Sequence, residues 1–349
     1  DLAADQIFIR TNPAGTLVDT SVTVSAFSGT ASGVRVQNLY VEHYANESQV
    51  GAIQGTNATN WTIHHNDVRH NHGVGVRIGT GFNVQFNRIH DNYQLGIGGV
   101  GNNVFFENNE VAYNNVQYNF GWEGGGTKFV QTDNLVARNN YVHHNQGPGL
   151  WLDIDNEDFL VEYNVCEDNF SGGLLNPSPG IMVEISWNGI VRNNQCRRNS
   201  VDFPNSLWGC GILVSASGGY GTTELEIYNN IVEGNGDGIT LFQQNRGVGV
   251  HGTYLVRNVY VHDNTIRCKD GNATTGVAQD AAVDGDGGTG IFTRNNRFEA
   301  NTHFVKTDTN HFSWNGVEFS SFATWQGFGH DTPVGSATIY TIEPTSGKV

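Results

Sequence analysis

Residues 140–169, NYVHHNQGPGLWLDIDNEDFLVEYNVCEDN, contain one complete unit of an internal repeat. It begins and ends with a six-residue motif that consists of Asn, any residue, an apolar residue, two further residues and a second Asn. A glycine followed by a short run of alternating side chains, GPGLWLDID, lies between the two copies. The motif recurs as NDVRHN (66–71), NRIHDN (87–92), NEVAYN (109–114), NQCRRN (194–199) and NIVEGN (230–235), with a weaker copy, NRFEAN, at 296–301.

The spacing of these motifs is typical of a solenoid. From Asn66 to Asn230 the motifs start 21 to 36 residues apart, which is the length of one coil in a repeat protein. Each glycine followed by an alternating run indicates a turn and then a strand, and no stretch of about ten residues has helical periodicity. We therefore predict an all-β fold, a single-stranded right-handed parallel β-helix, whose handedness follows from the general preference for right-handed parallel connections.

The repeated asparagines have a structural function in such a fold. In stacked coils the same turn position recurs about every 4.8 Å along the axis. A carboxamide at that position can donate a hydrogen bond to one neighbour and accept one from the other, and Asn also tolerates a left-handed backbone at a sharp corner. We therefore predict ladders of stacked asparagines.

The motif also predicts where two cysteines lie. Cys166 and Cys196 occupy its apolar position, so we expect both to point into the core on adjacent coils. Buried free thiols and a disulfide bond are both compatible with this spacing.

The repeat predicts one domain, although a length of 349 residues alone suggests two. We divide residues 1–349 into N-terminal coils (1–50), regular coils (51–301) and a C-terminal cap (302–349). The cap lacks the repeat and contains the aromatic-rich stretch HFSWNGVEFSSFATWQGFGHD. Such a segment is expected because the open end of a solenoid must be covered.

Charge and hydropathy exclude two classes of partner. The formal net charge of −16 argues against nucleic acid, because the protein would repel a phosphate backbone. No apolar run approaches the roughly 18 residues that a membrane-spanning helix needs.

A group of carboxylates is predicted on the outward face of the glycine-initiated strands. Because side chains alternate along a strand, Trp151, Asp153 and Asp155 should share that face on one coil. On the next coil the face should carry Met182, Glu184 and Ser186, and on the one after it Leu213, Ser215 and Ser217. On the preceding coil Thr132 shares the face. The residues between them should point inward: Leu150, Leu152, Ile154, Ile181, Val183 and Ile185. Asp153 and Glu184 then lie in one column, with Asp155 on the diagonal.

This column is the candidate functional site. Two carboxylates stacked on neighbouring strands repel each other unless a proton, a metal or a cation lies between them. Lys128, one coil away, is the only lysine in the first 268 residues. We expect a sugar to bind through the exposed side chains around the carboxylates, with Trp151 as the platform on which it stacks. The other predicted binding residues are Met182, Trp122 and Glu123 of the loop FGWEGGG, and Arg77 two repeats earlier.

Two pairs of adjacent histidines, His64–His65 and His143–His144, lie in the turn motif. We interpret them as turn residues, although each pair could bind a metal.

The motifs EGGGTKF (123–129), GLWLDIDN (149–156) and WQGFGHD (325–331) resemble the bacterial family of right-handed parallel β-helix repeat proteins. More distantly, the fold resembles that of pectate lyases, polygalacturonases and other β-helix enzymes that act on polysaccharides. This resemblance implies secretion and a polysaccharide bound along the outward face of one sheet. The signatures DPHE of alginate epimerases and NTD…DD of polygalacturonases do not occur in this sequence, so the resemblance implies no particular reaction.

Two enzyme mechanisms and one non-catalytic function fit these residues. In glycoside hydrolysis, Asp153 and Glu184 suit a retaining enzyme and Asp155 with Glu184 suits an inverting one, and no cofactor is required. In β-elimination, Lys128 is the base, and Asp153, Asp155, Glu184 and Glu123 hold Ca²⁺. The net charge favours hydrolysis, because a polyanionic substrate is repelled unless calcium intervenes. In the non-catalytic alternative, the protein is a surface, adhesion or filament module.

Overall fold

The fold is seen in a computed structural model of the protein. It describes residues 14–15, 20–116, 123–170, 178–201, 203, 206–267, 275–306 and 311–339.

The described residues form three long sheets whose strands follow one another in rotation along the chain. The first sheet contains β1 (Phe27–Ser28), β4 (Gly51–Gln54), β7 (Val74–Ile78), β10 (Leu95–Gly99), β13 (Gly125–Val130), β16 (Leu150–Asp153), β19 (Ile181–Glu184), β22 (Cys210–Ser215), β25 (Asp237–Gln243), β30 (Thr275–Gln279), β33 (Phe312–Trp314) and β34 (Val317–Ser320). The second contains β2 (Arg35–Gln37), β5 (Thr62–His64), β8 (Asn83–Gln85), β11 (Phe105–Glu107), β14 (Val136–Arg138), β17 (Glu157–Glu162), β20 (Trp187–Arg192), β23 (Leu225–Tyr228), β28 (Val259–His262) and β31 (Arg297–Glu299).

The third sheet completes each coil. It contains β3 (Tyr40–Glu42), β6 (Asp67–Arg69), β9 (Arg88–His90), β12 (Glu110–Ala112), β15 (Tyr141–His143), β18 (Val165–Glu167), β21 (Gln195–Arg197), β24 (Ile231–Glu233), β29 (Thr265–Arg267), β32 (Thr302–Val305) and β35 (Ser336–Ile339). Strands of successive coils pair in parallel, as in β16 with β19, and only β33 with β34 pairs antiparallel within these sheets as described. A hairpin of β26 (Val248–Gly249) and β27 (Gly252–Thr253) lies outside the coils. The predicted parallel β-helix is confirmed.

Two ladders of asparagines run along the corners of the coils, as predicted. In each ladder the Nδ2 of one Asn donates to the Oδ1 of the Asn on the next coil. The first ladder contains Asn66, Asn87, Asn109, Asn140, Asn164, Asn194, Asn230, Asn264 and Asn301, and the second contains Asn71, Asn92, Asn114, Asn145, Asn169, Asn199 and Asn235. The left-handed backbone falls on the residue before the ladder Asn, such as His65 at φ 55° and Phe86 at φ 55°. The ladder residue therefore supplies hydrogen bonds, and its neighbour makes the corner.

The core is a continuous column of aliphatic and aromatic side chains enclosed by the three sheets. Most strands of the three sheets contribute at least one buried residue to this core, because alternate side chains point inward. Cys166 and Cys196 are register partners within this core, and both are free thiols. Burial raises the pKa of the Cys196 thiol well above its usual value.

The predicted cap contributes further strands and the helix α1 (Phe322–Gly327). Strands β32, β33 and β35 extend the sheets, and the Trp325 ring of α1 is fully buried against Phe298 and Phe312. Asp331 ends the first asparagine ladder: its Oδ1 accepts from Asn301 Nδ2 at 2.9 Å. Its Oδ2 accepts from Trp325 Nε1 at 2.8 Å and lies 3.0 Å from His303 Nε2. Among the described residues, no helix has the length and hydropathy needed to cross a bilayer.

Candidate active site

The predicted column of outward side chains on the first sheet is confirmed by the strand register. Asp153 of β16 is the register partner of Glu184 of β19, and Glu184 is the partner of Ser215. Adjacent strands lie about 4.8 Å apart, so the two carboxylates project side by side from neighbouring coils.

Asp155 does not join this column, and the prediction that it shares the face is wrong. Strand β16 ends at Asp153, and the next two residues, Ile154 and Asp155, both have a positive φ, at 57° and 51°. One of them is an extra residue in this coil, so the alternation of side chains stops there. The Asp155 carboxylate instead accepts from Trp187 Nε1 at 2.9 Å and from Val250 N at 3.2 Å.

Three other positions predicted on the outward face are buried at the corner. Thr132 Oγ1 donates to Asn156 Oδ1, Asn156 Nδ2 donates to Ser186 Oγ, and the Ser186 amide donates to Ser217 Oγ. These side chains form a third polar ladder, because the left-handed corner residue before each of them turns the next side chain inward.

Ile154 and Ile185, which were predicted to point into the core, lie elsewhere. Both have a positive φ and pack with Trp187, Ala216 and Tyr254 in a separate cluster outside the main core. The corner reverses the inside-outside pattern that holds within the strands.

The apolar part of the column is covered rather than exposed. Trp151, Met182 and Leu213 have exposed fractions of only 9%, 6% and 0%. They form a cluster with Leu207 of the segment that precedes β22, with Trp208 packed against it. The prediction of an open hydrophobic surface is therefore wrong, because a loop from outside the repeat lies over it. The Trp151 ring also has the Lys128 ammonium 4.3 Å from its centroid, so that face is not free for a sugar.

The charged side chains form two groups of ion pairs, which meet at the neighbouring carboxylates of Asp153 and Glu184. Lys128 Nζ lies 2.8 Å from Asp153 Oδ2 and also contacts the Glu123 carboxylate. Glu184 is paired with the guanidinium of Arg246. The inner side chains, Lys128, Asp153 and Glu184, are buried, whereas those of Glu123 and Arg246 are 51% and 34% exposed. The charges of Glu123 and Arg246 therefore reach solvent, whereas those of Lys128, Asp153 and Glu184 do not.

Burial shifts the titration of both central carboxyls in the same direction. Desolvation, followed by repulsion from Asp153, raises the pKa of Glu184 to about 7 in spite of the Arg246 pair. Desolvation also raises the pKa of Asp153, and Lys128 opposes that rise. The pair therefore holds a proton close to neutral pH, and we place it on Glu184.

Three buried polar atoms around the pair have no hydrogen-bond partner within the part of the chain that the structure describes. They are Asp153 Oδ1, Trp151 Nε1 and Ser215 Oγ. Buried polar atoms are usually satisfied, so such a group of unsatisfied atoms at one place indicates a site for a polar ligand or water.

The sequence pattern does not indicate Arg246 as a residue of this site. Arg246 lies in the segment 244–254, which includes the β26–β27 hairpin. This segment leaves the first sheet after β25 and folds back over earlier coils. His251 Nε2 lies 2.7 Å from Glu157 Oε1, and the Tyr254 ring stacks on Trp187 with centroids 5.6 Å apart. Nothing in the sequence indicates this return, because Arg246 and Glu184 are 62 residues apart.

Two predicted site residues remain, Arg77 and Trp122. Arg77 occupies the Lys128 column two coils away, with Gly98 between them, and its Nη1 donates to Gln49 Oε1 at 3.4 Å. Burial lowers the pKa of Arg77. Trp122 lies outside the described residues.

Asp155 does not converge with Asp153 and Glu184, two of the other predicted calcium ligands. The carboxylates of Asp153 and Glu184 contact Lys128 and Arg246, and that of Asp155 contacts Trp187. No group of three or more His, Cys, Asp or Glu side chains in the described ranges is arranged to hold a metal ion. The residues present therefore do not fit a three-carboxylate calcium site.

We predict that the pKa of Glu184 gives the protein a distinctive dependence of stability on pH. Between about pH 4.5 and about pH 7 the folded protein binds more protons at Glu184 than the unfolded chain does. This contribution to stability is fully present below about pH 4.5 and is lost as the pH rises through about 7. Urea unfolding at about pH 5 and about pH 8 should show a loss on the order of 2–3 kcal/mol in the wild type that Glu184→Gln lacks.

The matched control is Glu162→Gln, which removes a buried glutamate that is ion-paired with Arg192 on the second sheet. This variant should keep the wild-type difference between the two pH values. Equal pH dependence in wild type and Glu184→Gln would contradict the shifted pKa.

Comparison with known proteins identifies the fold. Residues 51–176 match the family model described as "Right handed beta helix region". The A-module of the Azotobacter vinelandii mannuronan C-5 epimerase AlgE6 has a TM-score of 0.52 and 18% identity, and the match covers 89% of this chain and 77% of that one. The structure of XylC in complex with xylose has a TM-score of 0.49 and 15% identity; the match covers 82% of this chain but only 51% of XylC, so the chain spans about half of that protein. No curated protein is significantly similar in sequence. The chain is therefore a right-handed parallel β-helix protein.

Proposed function

We propose that the protein is a secreted carbohydrate-active enzyme that hydrolyses glycosidic bonds of a polysaccharide with Asp153 and Glu184. One observation carries this proposal: two buried carboxylates are side by side on one sheet and in different environments. Glu184 has a pKa of about 7, whereas Asp153 is paired with a lysine and has one oxygen without a partner in the described part of the chain. Two carboxyl groups with separate acid and base functions are what glycoside hydrolysis requires.

The two residues would act one after the other in the reaction. Glu184, protonated near neutral pH, donates its proton to the glycosidic oxygen as the bond breaks. Asp153 Oδ1, whose sister oxygen is held by Lys128, attacks the anomeric carbon. Glu184 then removes a proton from the water that releases the sugar. Because neighbouring strands are about 4.8 Å apart, the spacing suits the double displacement of a retaining enzyme rather than the wider gap of an inverting one.

Lys128 fits a supporting function better than that of the base in β-elimination. Its ammonium contacts the carboxylates of Glu123 and Asp153 and the face of the Trp151 ring. Carboxylates and aromatic faces are the groups that bind a cation. A base in β-elimination must reach the proton that it removes, whereas the Lys128 ammonium is already engaged by two carboxylates. We therefore assign Lys128 to holding Asp153 in place.

The class of substrate rests on two further considerations. A mannuronan C-5 epimerase module shares the fold, which supports a polysaccharide as the substrate class. The net charge of −16 favours a chain with few or no negative charges. A substrate that lies across the sheet meets Glu123 and Arg246 first, and these two side chains must move aside before a sugar reaches Asp153.

A panel of neutral and uronic polysaccharides, each incubated with and without EDTA, tests this function. We expect new reducing ends from a neutral or weakly charged polysaccharide, unaffected by EDTA and without absorbance from unsaturated uronate. Unsaturated products that disappear with EDTA would support the calcium-dependent lyase instead. If no polysaccharide is cleaved, but one is retained on an affinity gel, the non-catalytic binding module is favoured and the hydrolase is wrong.

A further inference from the structure

The corners that precede the ladder asparagines force two consecutive side chains together. Within a strand, neighbouring residues point to opposite faces, but the residue before a ladder Asn has a left-handed backbone that interrupts this alternation. At the corner before Asn92, His90 Nδ1 lies 2.6 Å from Asp91 Oδ2. At the corner before Asn264, His262 Nδ1 lies 2.8 Å from Asp263 Oδ2. The corner itself therefore brings the two side chains into contact.

Two of these corners carry two histidines followed by the ladder asparagine. In both, the two Nδ1 atoms lie 2.9 Å apart: His64 with His65, and His143 with His144. The ring centroids are 5.1 Å apart in each pair, and the rings are close to perpendicular, with interplanar angles of 79° and 89°. The same geometry thus occurs independently on the second and third sheets.

This separation matches two ligand positions at a right angle around a metal ion. Two bonds of about 2.0–2.1 Å that meet at 90° place their nitrogens about 2.9 Å apart, whereas a tetrahedral angle places them at about 3.4 Å. Right-angled positions are typical of Cu²⁺ and Ni²⁺ with nitrogen ligands, whereas Zn²⁺ prefers the tetrahedral arrangement.

The orientation of one pair is fixed by its surroundings. His143 Nε2 lies 3.3 Å from Glu110 Oε1, and the Tyr141 ring stacks on the His143 ring with centroids 3.9 Å apart. The Tyr113 ring contacts both histidines, with its centroid 5.6 Å from that of His143 and 5.1 Å from that of His144. A carboxylate on the far nitrogen of a histidine is the usual means of orienting a metal-binding imidazole.

We propose that His64–His65 and His143–His144 are two separate sites for a divalent ion of right-angled geometry, Cu²⁺ or Ni²⁺. Each ion takes the two Nδ1 atoms of a pair and completes its coordination with water, since no third His, Cys, Asp or Glu ligand converges there within the described residues. The His143–His144 site is the tighter one, because its rings are already held in place. These sites lie away from Asp153 and Glu184 and do not depend on the proposed hydrolysis.

Titration of the untagged full-length chain with CuCl₂, followed by calorimetry and electron paramagnetic resonance, tests this proposal. We expect two ions per chain and a spectrum with two equatorial nitrogens. His144→Asn should remove one ion, and the double variant His65→Asn/His144→Asn should bind Cu²⁺ at least tenfold more weakly at both sites. Asn is a suitable replacement because Asn108 and Asn139 occupy the equivalent left-handed corner position, at φ 56° and 55°.

The control is His262→Asn, in which the corner partner is an aspartate, and it should leave the two-ion stoichiometry unchanged. Unchanged stoichiometry and affinity in the double variant would overturn the proposal. So would a wild-type spectrum without coupling to two nitrogens, a result that does not depend on how well any variant folds. In that case the 2.9 Å contacts are hydrogen bonds between the two rings and nothing more.

Discussion

Replacing Glu184 by glutamine is expected to lower kcat/KM on the cleaved polysaccharide by a factor on the order of 10²–10⁴, the usual contribution of a general acid. Glutamine keeps the volume of the side chain and its carbonyl can still accept from Arg246, but it cannot transfer a proton to the leaving oxygen. The initial rate of reducing-end release, measured near neutral pH for both proteins, checks this result. In the wild type, kcat/KM should also fall as the pH rises above about 7, because Glu184 then loses its proton.

The same assay on Glu162→Gln provides the control, since that glutamate is also buried and also paired with an arginine, but on the second sheet. Its kcat/KM should stay within about twofold of the wild type. Asp153→Asn should be at least as inactive as Glu184→Gln, although it also leaves the buried Lys128 with a weaker partner and will therefore reduce stability. Full activity in either Asp153→Asn or Glu184→Gln would exclude this pair as the catalytic residues.

Replacing Asn164 by alanine is expected to destabilise the protein by about 3–5 kcal/mol. Asn164 is fully buried, and its Oδ1 accepts from both the amide and the Nδ2 of Asn140. Its own Nδ2 donates to Ala137 O and to Asn194 Oδ1. Alanine removes four hydrogen bonds and leaves their partners buried without water. Urea unfolding followed by circular dichroism measures the loss.

The control for this experiment is Asn139→Gly on the adjacent coil. Asn139 is exposed at a left-handed corner, with φ 55°, and glycine adopts that backbone readily, so stability should change by no more than about 0.5 kcal/mol. A loss below about 1 kcal/mol in Asn164→Ala would show that the ladder contributes little to stability.

The sequence was sufficient to predict the coils, the ladders and the pairing of Asp153 with Glu184. These features repeat, so a pattern that is weak in one coil becomes clear when several copies are aligned. The register follows directly, because each ladder Asn must meet its counterpart on the next coil.

What could not be predicted lies outside the repeat. The burial of Trp151 depends on Leu207, and the pairing of Glu184 depends on Arg246; both come from segments between coils that have no counterpart elsewhere. The position of Asp155 departs from the prediction for a different reason: strand alternation does not continue through the left-handed corner, which holds one extra residue. Strand periodicity therefore predicts side-chain direction only as far as the strand continues.

The aspartate that ends the first asparagine ladder has a consequence for self-association. An open β-helix is a template on which a second molecule can add coils end to end, as in fibre growth. Asp331 accepts from Asn301 but has no amide hydrogens to pass on, and its other oxygen is already occupied by Trp325 and His303. An incoming molecule could not continue the ladder and would instead meet a carboxylate. Asp331 therefore stops the ladder from continuing into a second molecule, which argues against a filament built by end-to-end stacking at this position.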